Sequence, residues 1–239
     1  MKQTNTYIFI YASVMVIIVA AILSFTAEKL KPIQENNVKI EKIQNILSSV
    51  GIQSTKENAE EMFNKYIPES NRIVIGADGN VKEGQAAFDI DLKKELAKPE
   101  NQRSLPLFVA TLDNGENKAI VPLLGKGLWG PIWGYLAFND DYNTIFGAVF
   151  DHKGETPGLG ADINKEWFQK PFIGKTIFDG SQFVSIAVHK GGHGAAERAG
   201  DTKHGVDAIS GGTITSKGLQ AMLKDCLGNY VNYFNNHKK

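Results

Sequence analysis

An uncharged apolar run near the amino terminus places the strongest constraint on how this chain folds. Residues 7–25 read YIFIYASVMVIIVAAILSF and contain no charge, proline or glycine. The run is long enough to cross the hydrocarbon core of a bilayer as one helix. Tyr7 and Tyr11 suit an interfacial position at its start. We therefore predict a transmembrane helix over residues 7–25, preceded by a short tail over residues 1–6, and expect membrane lipid as a partner.

A cleaved signal peptide is the competing interpretation of this run. Signal peptides have a shorter apolar region and a small-residue cleavage site. Residues 24–27 read SFTA, a poor match to such a site, which favours an uncleaved anchor. Charge gives little help with orientation. One lysine precedes the run and several follow it closely, so a simple count places the bulk of the chain in the cytoplasm, but long domains translocate largely regardless of charge.

The composition of the chain excludes several classes of function. Lys+Arg and Asp+Glu both number 26, so no basic excess marks a nucleic-acid-binding surface and no nucleic-acid partner is expected. The single cysteine, Cys226, excludes an intramolecular disulfide and a thiolate metal cluster. It falls on an apolar helical stripe, which indicates a buried, inert thiol. His189 and His193 lie among glycines without further ligands nearby, so no metal site is predicted.

The pattern after the anchor is helical and then changes to that of strands. Apolar residues recur at helical spacing from Ile33 to Val50, with Gly51 as the end, and a second helix covers residues 59–66 before Pro68. We assign residues 26–70 to a helical linker. Runs typical of strands follow at residues 72–76, 105–112, 118–124, 132–138, 144–150 and 183–190.

Two further signals complete the predicted fold. Asn114-Gly115 between two of the runs is a strong hairpin signal. An apolar stripe from Leu219 to Phe234 predicts one C-terminal helix. Residues 71–239 are therefore expected to form an α+β domain of antiparallel strands with flanking helices.

The segment directly before the predicted C-terminal helix has two interpretations. Residues 207–216 read DAISGGTITS. In the first interpretation they only start the helix: Thr215 or Ser216 caps a free backbone N–H, and the glycines let the chain turn. In the second, the helix N-terminus receives a phosphate, and a threonine hydroxyl in the open turn is the esterified atom. Lys217 either attracts that phosphate or is simply solvated.

Two more glycine-rich stretches are equally open. Residues 155–161 read ETPGLGA, whose Pro-Gly pair marks a turn but fits neither a Rossmann nor a Walker pattern. A tight turn with one apolar side chain at its tip also suits the face of a flat ring. Residues 125–135 read GKGLWGPIWGY. They are either ordinary core with tight strand ends or a stacking surface for an aromatic cofactor.

Together the three stretches resemble the C subunit family of the Na⁺-translocating NADH:quinone reductase, over the full length of the chain. The flavinylation signature of that family is Asp-x-x-(Ser/Thr)-Gly-Ala-Thr. Asp207, Ser210, Gly211 and Thr213 match it, and Gly212 stands where alanine is usual. The resemblance implies that FMN is attached covalently to Thr213 through its phosphate. It also implies that the flavin site includes Leu128, Trp129, Glu155, Thr156, Leu159 and Gly160. Thr215 and Lys217 are further candidates for this site because they directly follow the motif.

The resemblance further implies a single-pass subunit of the bacterial inner membrane whose FMN-binding domain lies on the periplasmic side. The subunit would relay electrons within a reductase whose other membrane subunits bind NADH and quinone, so no residue here is expected to act as a general acid or base. A separate flavin transferase would attach the FMN. Two alternatives stay open: the G subunit of an Rnf electron-transport complex, and a free-standing, membrane-tethered FMN-binding module. A hydrolase is only a nominal alternative, because no Ser-His-Asp arrangement can be inferred.

Overall fold

The first element is one long helix, α1 (Asn5–Ser49), in a computed structural model that describes residues 4–238. The apolar run and the amphipathic segment after it join without a break, although Pro32 lies inside the helix and lacks the N–H for one backbone hydrogen bond. The helix ends next to Gly51, whose φ is +78°. It is long and apolar enough to cross a membrane. Residues up to Lys42 form one compact unit, and residues from Ile43 onward form another.

A six-stranded antiparallel sheet is the centre of the second unit, with the strand order β2-β1-β3-β4-β5-β6. The strands are β1 (Arg72–Gly76), β2 (Val81–Lys82), β3 (Ser104–Thr111), β4 (Asn117–Lys126), β5 (Pro131–Phe138) and β6 (Ile145–His152). The predicted hairpin is confirmed between β3 and β4. Gly115 takes a φ of +82°, and the Leu112 N–H donates to the Glu116 carbonyl at 2.9 Å.

Short elements and two C-terminal helices surround this sheet. The helices are α2 (Ala59–Tyr66), α3 (Leu92–Leu96), α4 (Glu166–Gln169), α5 (Ala195–Arg198), α6 (Thr213–Gly228) and α7 (Val231–His237). The remaining strands form two small pairs, β7 (Phe178–Asp179) with β8 (Gln182–Phe183) and β9 (Ala187–His189) with β10 (Gly205–Asp207). The predicted α+β class is confirmed. Because β9 and β10 run parallel, however, the strands of the domain are not all antiparallel.

Helix α6 packs directly on β4, with glycines at the closest points of contact. A Cβ at Gly218 would overlap the carbonyl oxygen of Lys126, and a Cβ at Gly125 would lie 2.6 Å from the Cβ of Met222. Farther along the helix, the Cys226 thiol donates to the Leu124 carbonyl at 3.4 Å. Burial raises the pKa of Cys226 to about 11, so the thiol is protonated at neutral pH, as its place on the apolar stripe predicted.

The opposite face of the sheet is covered by α2 and by the last residues of α1. The ring of Phe63 packs edge-on against Phe108, with 6.1 Å between centroids. A Cβ at Gly147 would overlap the carbonyl of Ser49, so the end of α1 touches the backbone of β6. The sheet therefore has a buried apolar layer on each side.

Two predicted elements are wrong in extent. The run at residues 183–190 is not one strand, because Ser185 takes a φ of +63° and the chain turns there. The C-terminal stripe spans two helices, since α6 ends at Gly228 and α7 begins at Val231. The apolar stripe continues across the break because Tyr230, between α6 and α7, is also buried. Its hydroxyl donates to the Pro106 carbonyl at 2.8 Å.

Candidate functional site

The start of α6 presents an exposed threonine at the end of a glycine turn. Thr213 is the first residue of the helix and is exposed, while the N-cap residue, Gly212, is buried and provides no side-chain cap. Gly211 takes a φ of +76°, which favours glycine. The first backbone bond of the helix runs from the Ser216 N–H to the Gly212 carbonyl. The earlier N–H groups have no partner within the helix and carry its partial positive charge.

The capping interpretation of this segment is wrong. Ser216 does not cap α6; its Oγ accepts a hydrogen bond from the Ile209 N–H at 3.2 Å, which fixes the chain before the turn. Thr215 is buried and donates its hydroxyl to Glu155 Oε2 at 2.5 Å. Of the two threonines, only Thr213 therefore has an exposed side chain.

Glu155 connects all three glycine-rich stretches. It is buried, and its Oε1 accepts from the Trp129 N–H at 2.8 Å while its Oε2 accepts from Thr215. Two glycines make room for this carboxylate. A Cβ at Gly127 would lie 2.5 Å from Oε1, and a Cβ at Gly160 would lie 2.7 Å from Oε2.

The hydrogen bonds at Glu155 also set its charge. Burial opposes ionisation of the carboxyl, but the Thr215 hydroxyl and the backbone N–H groups of residues 128–130 outweigh burial and hold the pKa of Glu155 below its ordinary value. The buried carboxylate is therefore ionised and stabilised by donors at neutral pH. The sequence indicated Glu155 as a site residue; it gave no sign that Gly127 is needed to make room for it.

The loop after Glu155 is a closed turn whose tip packs on the motif. The Thr156 carbonyl accepts from the N–H groups of Leu159 and Ala161, each at 3.1 Å, and Gly158 has a φ of +75°. A Cβ at Gly211 would lie 2.6 Å from Leu159 Cδ2. The second glycine-rich stretch thus lies directly against the turn that carries Thr213.

Exposed apolar side chains lie on the stretches that Glu155 and Leu159 connect to the start of α6. They are more than a third exposed: Leu128 46%, Trp129 69%, Leu159 41% and Ile214 55%. Ile214 follows Thr213 directly in α6 and was not predicted as a site residue from the sequence. Large apolar side chains grouped on a surface indicate a binding site. We call these four residues the apolar patch.

Asp207 and Ser210, the two motif residues before the glycines, have different surroundings. The Asp207 carboxylate accepts from the N–H groups of Gly194 and Ala196, at 2.6 and 2.9 Å. Burial opposes its ionisation, but these backbone donors outweigh burial and lower the pKa of Asp207. Asp207 therefore holds a neighbouring loop in place. Ser210 is exposed and borders a cavity of about 470 Å³, which Asp207 and Trp167 also line.

Comparison with known proteins indicates what kind of site this is. Residues 127–228 match the FMN-binding domain family, a range that includes the Glu155 loop and the whole motif around Thr213. The C subunit of the Na⁺-translocating NADH-quinone reductase from Haemophilus ducreyi is 32% identical over 227 residues, covering 89% of this chain and 85% of the relative. The chain belongs to this family. The resemblance inferred from the sequence motifs is thereby confirmed.

Solved structures from the same family share the fold. A crystal structure of the corresponding protein from Parabacteroides distasonis, also a C subunit of the Na⁺-translocating reductase, is 41% identical, with a TM-score of 0.76. That match covers 86% of this chain and 96% of the other. Shewanella oneidensis NqrC is 28% identical with a TM-score of 0.66, covering 84% of this chain and 99% of that one. The single apolar N-terminal helix fits a membrane-anchored subunit.

Proposed function

We propose that this chain is the subunit of a Na⁺-translocating NADH-quinone reductase that carries electrons on an FMN esterified through its phosphate to Thr213. The observation that carries the proposal is the position of this hydroxyl. Thr213 is exposed at the first residue of α6, after a side-chain-free turn and beside an apolar patch, whereas Thr215 is buried and hydrogen-bonded.

The residues at this turn fit a phosphodiester. The free N–H groups at the start of a helix favour a negative charge by about 0.3–1 kcal/mol when exposed. The two glycines before Thr213 allow the turn to pack closely on Leu159 and Ile209, so Thr213 itself is left exposed for the ester. The dipole contribution is too small to retain a cofactor alone, which is a physical reason for a covalent bond.

The apolar patch fits the ring of the same cofactor. Trp129 offers an indole face and Leu159 an apolar side chain at the tip of a rigid turn, and aromatic contacts add about 0.5–1.5 kcal/mol beyond burial. Bound FMN supplies reversible uptake and release of electrons. The chain itself holds the phosphate end at α6, orients the ring on the patch and keeps Glu155 ionised beneath it.

The proposal extends to the surroundings of the protein. The relatives are named as subunits of a reductase, so we place the donor and acceptor of electrons on other subunits of that complex. A flavin transferase attaches the FMN, and α1 inserts in the lipid of the bacterial inner membrane with the FMN domain on the periplasmic side. A tethered flavin outside the cytoplasm cannot be lost by dilution.

Mapping the flavin on the chain tests the proposal. Full-length protein would be isolated from membranes of a host that has the transferase, and the mass of the tryptic peptide over residues 204–217 would be measured by mass spectrometry. We expect the mass of an added FMN phosphoryl group on Thr213. Thr213→Ala should abolish in-gel flavin fluorescence, whereas Thr215→Ala should retain it. An unmodified native peptide, or a flavin on Ser210 or Thr215, would refute the assignment.

A further inference from the structure

Strand β9 brings a lysine alongside the first turns of α6. The Val188 N–H donates to Gln220 Oε1 at 2.8 Å, so the strand lies against the helix at that level. Lys190 directly follows His189, the last residue of this strand. Lys217 comes three residues before Gln220, about 4.5 Å along a helix. The two lysines are at a similar level, because the Ala208 N–H donates to the His189 carbonyl at 2.8 Å and the next residue, Ile209, donates its N–H to Ser216 Oγ at 3.2 Å. The positive charge of Lys217 accordingly lowers the pKa of Lys190.

Lys217 also extends toward Thr213. The two residues are four apart in α6, and residues at that spacing are neighbours on one helix face. Side chains in a helix tilt toward its N-terminus, which directs Lys217 toward the turn that holds Thr213. Lys190 lies on the segment after β9, which packs against the same part of α6. We call the two residues the lysine pair.

The positive charge of the lysine pair is not balanced by the protein. Within residues 4–238, neither ammonium forms an ion pair with a carboxylate. Charged groups on the adjoining elements have other partners. On β9, His189 contacts Asp201 at 2.8 Å. On α5, Arg198 donates to the carbonyls of Gly191 and His193.

Two further carboxylates near the start of α6 are also engaged. On β10, the Asp207 carboxylate is occupied by backbone N–H groups, and Glu155 accepts from the Thr215 hydroxyl. Two like charges held side by side repel each other, and an anion between them removes the repulsion. The arrangement therefore calls for an anionic ligand at this point of the surface.

We propose that Lys190 and Lys217 together bind the phosphodiester that links FMN to Thr213, with Lys190 supplied by the segment that follows β9. This inference rests on the proposed function. The phosphate then has three sources of positive charge: the helix N-terminus, Lys217 from the same helix and Lys190 from another element. Two ammonium groups from separate elements restrict the phosphate more than one flexible side chain does, and so fix where the flavin begins.

A pH titration followed by phosphorus NMR tests the lysine pair. Full-length flavinylated protein in detergent would be titrated from about pH 7 to about pH 10.5, through the range in which lysines lose their protons. We expect the phosphodiester resonance to shift as the pair deprotonates, and Lys190→Gln to lose most of that shift. In Lys190→Arg the neighbouring charge persists because arginine stays protonated, so the shift should be smaller than in the native protein.

Lys224→Gln is the matched control, because Lys224 is an exposed lysine on the same helix, away from Thr213. It should titrate like the native protein, and Lys217→Gln should behave like Lys190→Gln. A Lys190→Gln resonance with the native amplitude and midpoint would overturn the role of the lysine pair alone. The absence of a phosphodiester resonance from the native protein would instead overturn the attachment at Thr213, and the inference with it.

Discussion

The Thr215 hydroxyl donates to the Glu155 carboxylate at 2.5 Å and joins segments that are 60 residues apart in the sequence. The same carboxylate accepts from the Trp129 N–H, so one buried charge ties the start of α6 to both other glycine-rich stretches. This separates the roles of two threonines that are neighbours in the motif. Thr215 holds the site together, and Thr213 is left available for chemistry.

Removing the Thr215 hydroxyl should destabilise the fold. Thr215→Val keeps the shape of the side chain but leaves a buried carboxylate with one donor fewer, which costs about 1–3 kcal/mol. Thr213→Val, at an exposed position, should change stability by less than about 0.5 kcal/mol. Both would be measured by urea unfolding of full-length protein made without the transferase, so that flavin binding does not contribute. Equal effects of the two substitutions would contradict the structural role of Thr215.

Glu155 should contribute to the loss of stability in acid. Its pKa is lower in the folded protein than the ordinary value of 4.5, so the folded state binds the proton less readily than the unfolded state. The stabilisation is present above pH 4.5 and is lost as the pH falls through the folded-state pKa. Glu155→Gln should be less stable at neutral pH but should lose less on acidification. Thermal unfolding across this range would check it, and an unchanged acid slope would contradict the assignment.

Trp129 should pack on the flavin ring without being needed for its attachment. Trp129→Ala should leave the flavin covalently bound and raise its fluorescence, because a stacked indole quenches a flavin. Trp167 provides the control, since it is also exposed and lines the cavity beside Ser210. We expect Trp167→Ala to leave the fluorescence unchanged. If only Trp167→Ala raises it, the ring lies in the cavity and not on the apolar patch.

The two glycines of the motif should respond differently to a methyl group. In Gly212→Ala the new Cβ would lie 3.1 Å from Ile209 Cγ2 and 3.2 Å from the Gly160 nitrogen, so neighbours must move by only a few tenths of an ångström. Gly211→Ala places a side chain on a residue whose φ is +76°, in the left-handed region, and its Cβ would also overlap Leu159. We expect it to lower the free energy of unfolding by about 1–2 kcal/mol or more. Flavin content and melting temperature would be compared. If Gly212→Ala lost more flavin or melted at a lower temperature than Gly211→Ala, the turn would have to be arranged differently.

The domain should lie outside the cytoplasm, in spite of the lysines that follow the apolar run. A phosphatase fused to the C-terminus should be active, because long domains translocate largely regardless of nearby charge. A fluorescent reporter that folds only in the cytoplasm should stay dark when fused at the same place. The reverse pair of results would place the domain in the cytoplasm.

Local patterns in the sequence were enough to predict much of this fold. The hairpin at Asn114-Gly115 and strand β1 depend on neighbouring residues and were placed correctly. The break between α6 and α7 was not predicted, because α7 buries Phe234 in the same core and so continues the stripe. The role of Thr215 was also missed, since its partner is distant in the sequence and a helix-start threonine usually caps.

The contact of α6 with β4 has a consequence for the position of Thr213. Gly218 contacts the Lys126 carbonyl with no side chain between them, so the backbone of β4 determines how closely α6 packs on the sheet. Any side chain at position 218 would lift the start of the helix, and Thr213, five residues earlier, would be carried with it. The alignment of a flavin with its redox partners would then be altered by a residue that touches neither. The position of Thr213 therefore depends on a contact between two backbone segments, and not only on the side chains around it.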